Sequence, residues 1–96
     1  MSAVRVLLIL YDESTRRTLR SILSEESNIE VVGEATGVAE ALVQVDDISP
    51  DVVMIDADMP DVTGVEMMRL LKDNGYDGPT VMLGSNLDSL DEALRA

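Results

Sequence analysis

The chain contains no cysteine and no histidine, and its only aromatic residues are Tyr11 and Tyr76. Without cysteine there is no disulfide framework and no thiolate metal site. Without histidine, imidazole general bases and the usual zinc ligands are gone. With neither Phe nor Trp, a core must be filled by Val, Ile, Leu, Met and Ala. No stretch approaches the roughly 20 apolar residues of a membrane span. The N-terminal apolar run lacks a basic n-region and a small-residue cleavage site, so it reads as a buried strand and the default location is the cytoplasm. Positive charge is scarce too: 7 basic residues face 19 acidic ones, a formal net charge of −12. That balance opposes direct contact with nucleic acid or an anionic membrane, because like charges repel the polyanion.

What is present is a regular alternation. The 96 residues suit one domain, 1–96, near the lower size limit for a self-sufficient α/β core. Four β-branched, apolar runs stand out: Val4–Leu10, Ile29–Ala35, Asp51–Ile55 and Thr80–Leu83. The first, third and fourth are apolar at consecutive positions, which suits strands covered on both faces of a parallel sheet. Helical periods lie between and after them: Leu19, Ile22 and Leu23; Val38, Leu42 and Val45; Val65, Met68 and Leu71; Leu87, Leu90 and Leu94. Thr63-Gly-Val-Glu66 has the form of a capping box, Asn74-Gly75 that of a helix stop, and Ser85-Asn-Leu-Asp88 that of a weaker helix start. The order β-α-β-α-β-α-β-α implies right-handed crossovers in a doubly wound sheet. Sites in such sheets lie beyond the carboxyl ends of the strands. Those ends hold Leu10 to Glu13, Asp56 to Asp58, and Gly84 to Asn86.

Asp56 closes an apolar run, where a carboxylate is costly unless a cation, backbone donors or an open crevice receives it. Taken alone it also fits an ordinary loop acid, since Asp is common in turns. The stretch from Pro50 to Glu66, PDVVMIDADMPDVTGVE, changes that estimate. It resembles the phosphoacceptor segment of the response-regulator receiver family: an apolar strand, the acceptor Asp, Met-Pro, then Gly four residues beyond Pro. Ile29–Ala35 is similar to the second strand of receivers that drive a C-terminal helix-turn-helix. Val4–Ile9 and Pro79–Leu83 resemble the first and fourth strands, and Glu92–Ala96 the end of the fourth helix.

The resemblance implies a flavodoxin-like sheet of order 2-1-3-4. It also implies phosphorylation of Asp56 by a sensor histidine kinase. The acceptor carboxylate takes the phosphoryl group from a phosphohistidine and becomes an acyl phosphate, with magnesium offsetting the charge repulsion. The family's metal ligands are the acceptor, a carboxylate of an acidic pair after the first strand, and a backbone carbonyl two residues past the acceptor. Here these would be Asp56, Asp12 and the Asp58 carbonyl. A hydroxyl ending the fourth strand and a Lys ending the fifth bind the phosphoryl oxygens and relay the switch.

Several positions depart from that pattern. Aligned without gaps from Val4 to Ala35, the acidic pair is Leu10 and Tyr11, with Asp12 and Glu13 one or two places late. These two acids would then lead into a helix capped by Ser14, or would supply a ligand if the strand were longer and the helix shorter. The hydroxyl position holds Gly84, with Ser85 one step on as a substitute or a helix cap. The sequence ends at Ala96, before the expected fifth strand, its Lys and the last helix, so the expectation is a receiver shortened at its C-terminal end.

Three readings follow: a receiver phosphorylated at Asp56; a degenerate receiver serving as a phosphorylation-independent interaction module; and a fragment of a haloacid-dehalogenase-type phosphatase, suggested by Asp56-Ala-Asp58. The last motif usually continues to Thr or Val where Pro60 stands, and its fold needs more chain. Under the receiver reading the module is not itself an enzyme. Its partners are the kinase, a DNA-binding output domain outside these residues, and a second copy docked through the fourth strand or last helix.

Overall fold

A computed structural model describes residues 3–57 and 59–83. The elements are β1 (Val4–Ile9), α1 (Glu13–Ser24), β2 (Ile29–Ala35), α2 (Val38–Ile48), β3 (Val52–Asp56), α3 (Gly64–Asp73) and β4 (Thr80–Leu83). All strand pairs are parallel, in the order β2-β1-β3-β4 that the resemblance implies.

Two apolar layers flank the sheet. Leu7, Ile9, Ala35, Val53 and Ile55 pack with Ala41 and Val45 of α2 and Met67 and Leu71 of α3. Val6, Leu8 and Leu10 pack on the other face with Leu19 and Leu23 of α1. β1 is therefore covered on both sides, as its unbroken apolar run requires. β4 is not: Val81 remains 44% exposed.

Local chemistry fixes the helix starts. Thr63 accepts from the Glu66 amide while the Glu66 carboxylate accepts from the Thr63 amide, completing the capping box. α2 begins at Gly37, which has no side chain to cap with; Glu40 instead reaches back to the Thr36 amide and hydroxyl. α3 stops at Asn74, and Gly75 then takes φ +99°, the left-handed turn that ends a helix at little cost for glycine.

Some expectations need correction. β1 ends at Ile9 rather than Leu10. β3 runs from Val52 to Asp56, because Asp51 lies outside the ladder with its carboxylate on the Arg5 amide, while Asp56 pairs with Leu83. The buried stripe of α3 is Gly64, Met67 and Leu71; Val65 and Met68 face outward, since the i, i+3, i+7 line starts one residue earlier. Ile22 on α1 is 53% exposed, because α1 lies over β2 and its apolar contact with the sheet runs through Leu19 and Leu23. The final helix expected around Leu87, Leu90 and Leu94 falls outside the described residues.

Candidate functional site

The carboxyl ends of β1 and β3 lie side by side, with Ile9 opposite Ile55, so Asp56 is the next position beside Leu10 and the loop leading to α1. Asp56 is half-buried at the end of β3 and opposite Leu83. The loop after it is pinned at three points. The Ala57 amide donates to the Leu83 carbonyl at 2.8 Å, the Gly64 amide donates to the Ala57 carbonyl at 2.9 Å, and Met59 buries its side chain in the α2–α3 layer.

Gly64 explains the glycine four residues beyond Pro60. A Cβ there would lie 3.0 Å from Ala57 Cα, 3.0 Å from the Asp56 carbonyl oxygen and 3.1 Å from Met82 Sδ. The start of α3 thus presses directly against the end of β3, leaving no room for a side chain.

The β1–α1 loop has a different character. Leu10 is fully buried in the α1 layer, and its amide donates to the Ala35 carbonyl at 3.0 Å. Tyr11 is 57% exposed. Asp12, rather than Ser14, caps α1: its Oδ2 accepts from the Thr15 amide and the Thr15 hydroxyl, both at 2.8 Å. The Thr15 hydroxyl and then its amide hold the Asp12 carboxyl below the usual carboxylate range. The strand therefore ends at Ile9 and the helix starts at Glu13, matching the gapless alignment, and Glu13 spends its carboxylate on Arg17 at 3.0 Å.

Arg16 carries a role that sequence inspection did not assign. Its Nη1 donates to the carbonyls of Leu10 at 2.8 Å and Tyr11 at 2.9 Å, while its Nε pairs with Glu34 at 3.4 Å. Arg20 binds the other oxygen of Glu34. Glu34 in the largely apolar β2, with two arginines a helical turn apart on the preceding helix, was the available signal. Asp58, Gly84 and Ser85 lie outside the described residues. Among the described residues, no helix is long and apolar enough to cross a membrane.

The family model for the response regulator receiver domain matches residues 6–96. The chain is 33% identical over 85 residues to a protein-glutamate methylesterase/protein-glutamine glutaminase of Nocardioides sp., covering 88% of this chain and 23% of that protein. It is 37% identical over 68 residues to the transcriptional regulatory protein BtsR of Escherichia coli, covering 71% of this chain and 28% of that one. The chain thus spans about a quarter of the length of the curated relatives it matches. Among solved structures, the response regulator domain of Thermotoga maritima CheB superposes with a TM-score of 0.78 at 27% identity, over 97% of this chain and 72% of that one. Receivers of this family generally bind magnesium at the phosphorylation site. Sheet order and these likenesses agree, and the chain belongs to the response-regulator receiver family.

Proposed function

We propose that this chain is the receiver module of a two-component phosphorelay, in which Asp56 accepts a phosphoryl group from a sensor histidine kinase and an output surface responds. The observation that carries this reading is the placement of Asp56 at the end of β3, beside the end of β1, with the following loop tied to Leu83 and Gly64. In the transfer, an Asp56 carboxylate oxygen attacks phosphorus, the P–N bond to the kinase imidazole breaks, and the imidazole leaves with that electron pair and takes up a proton. The module itself catalyses no turnover of a small substrate. The likeness of Ile29–Ala35 to receivers joined to a helix-turn-helix supports a DNA-binding output domain as the downstream partner. With a net charge of −12, the receiver leaves nucleic-acid contact to that domain.

Phosphate incorporation from a phosphorylated kinase and from acetyl phosphate tests the reading. Labelling is expected in the native chain and absent in Asp56→Asn. Labelling that survives Asp56→Asn, or none from either donor, refutes it. A second reading, a phosphorylation-independent interaction module, is favoured by one observation: the two positions after β1 are a buried leucine and an exposed tyrosine. Partner binding that is unchanged by Asp56→Asn supports that alternative.

A further inference from the structure

The end of β1 departs from the receiver pattern, and the departure is one of charge. The receiver pattern places two carboxylates after the first strand; here Leu10 is enclosed in the α1 layer and Tyr11 presents a phenol to solvent. The nearest acid, Asp12, directs Oδ2 into the first turn of α1 and caps it. The Leu10 and Tyr11 carbonyls both accept from the Arg16 guanidinium. Among the described residues, no three acidic side chains come together in a way that could hold a metal ion. A hard divalent ion needs several oxygen ligands, and its affinity follows the number of charged ones. An ion drawn to this loop would find carbonyls already bonded to a cation and would be repelled by it.

We infer that this acceptor site has dispensed with its divalent ion: Arg16 fixes the β1–α1 loop from within, and magnesium does not bind at Asp56 in the millimolar range. The inference rests on Asp56 marking the acceptor site, not on its being phosphorylated. With the acidic pair gone, the family's cluster of like charges is reduced, and with it the need for an ion to hold that cluster together. The loop's geometry is instead set by hydrogen bonds that do not depend on solution magnesium.

The test is a titration of the ¹⁵N-labelled chain with Mg2+, and with Mn2+ as a paramagnetic probe, followed at the amides of residues 10–13 and 55–57. No saturable shift or broadening is expected in the native chain. Tyr11→Asp restores one carboxylate at an exposed position and is expected to tighten Mn2+ binding on the order of tenfold or more. Saturable binding by the native chain below the millimolar range overturns the inference, as does a Tyr11→Asp variant with no gain. Asp12→Asn keeps the cap, so a native response that disappears in it assigns the ion to Asp12 and likewise overturns the proposal. Phosphate labelling with and without EDTA is read separately. Labelling unaffected by EDTA supports the inference, and labelling abolished by it refutes the inference while leaving Asp56 as acceptor. Complete absence of labelling instead removes the acceptor reading, and the titration still decides the metal question.

Discussion

Replacing Gly64 by alanine sets two effects of opposite sign against each other. Alanine in place of glycine in a helix interior gains about 1 kcal/mol of helix propensity, and less at the first helical position. The added Cβ, however, meets backbone at 3.0 Å on two sides, Ala57 Cα and the Asp56 carbonyl oxygen, with Met82 Sδ at 3.1 Å. Ordinary contact begins several tenths of an ångström further out, and neither backbone atom can turn aside as a flexible side chain could. Overpacking of this kind typically costs about 1–3 kcal/mol. The clash should win, giving a net loss of about 1 kcal/mol or more and a fall in Tm of roughly 4–8 °C for a domain of this size. Urea and thermal unfolding followed by circular dichroism give the magnitude, and amide shifts of Asp56 and Ala57 report movement of the loop. Gly75→Ala is the control: it strains a residue at φ +99° with open space around it, so it should destabilise without moving those two amides. A Gly64→Ala chain as stable as the native one, with unshifted Asp56 and Ala57 resonances, would show that the close approach is not a constraint.

Four further outcomes follow from the structure. Thr63→Ala removes the hydroxyl half of the α3 capping box and should cost about 1 kcal/mol in chemical unfolding. The Glu66 carboxyl is held below the usual carboxylate range by the Thr63 amide, and that of Glu40 by the Thr36 amide and then its hydroxyl. Their stabilisation is therefore full above the unfolded glutamate value of about 4.3 and fades as pH falls through the lowered folded values. Glu66→Gln should flatten part of that acid limb in a pH series of melts, and an unchanged limb would contradict the assignment. Glu34→Gln weakens the anchor of both Arg16 and Arg20; after discounting for partial exposure it should cost about 1 kcal/mol, less at high salt, with a double-mutant cycle against Arg16→Met locating the coupling. Finally, Val81→Lys on the outer strand of the described sheet should lower any self-association seen by sedimentation, and an unchanged dimer fraction would place the contact elsewhere.

The alternation of apolar runs was enough to read four strands of a parallel sheet, and the likeness to receivers supplied their order. The α3 start was legible at residue level, since Thr63 and Glu66 stand at the one spacing a capping box allows. Side-chain direction was harder. Val65 and Met68 looked like core by period, yet the buried line passes through Gly64, whose contribution is the absence of a side chain and so leaves no apolar mark. Asp56 was found through its neighbours rather than its own chemistry. Asp12 was legible as an acid near the site but not as a cap, because Ser14 offered an equally good hydroxyl two residues later. Arg16 went unread because two of its partners are backbone carbonyls, which leave no mark in the sequence, and the third is a glutamate on another strand.

The register of β2 against β1 slips between Val6 and Leu7: Val31 lies opposite Val6, but Gly33 lies opposite Leu7, so Val32 is an extra residue. Such a bulge bends the outer strand and breaks the even row of donors and acceptors that an incoming strand would need. The two margins of the described sheet are therefore unequal, with β2 irregular and β4 regular. Open-ended stacking requires two receptive margins on each molecule, one to receive and one to be received. A sheet with a single receptive margin can pair once, about a two-fold axis, and then has nothing left to offer. Within the described sheet, the irregularity at Val32 makes β2 the margin less suited to receive a further strand.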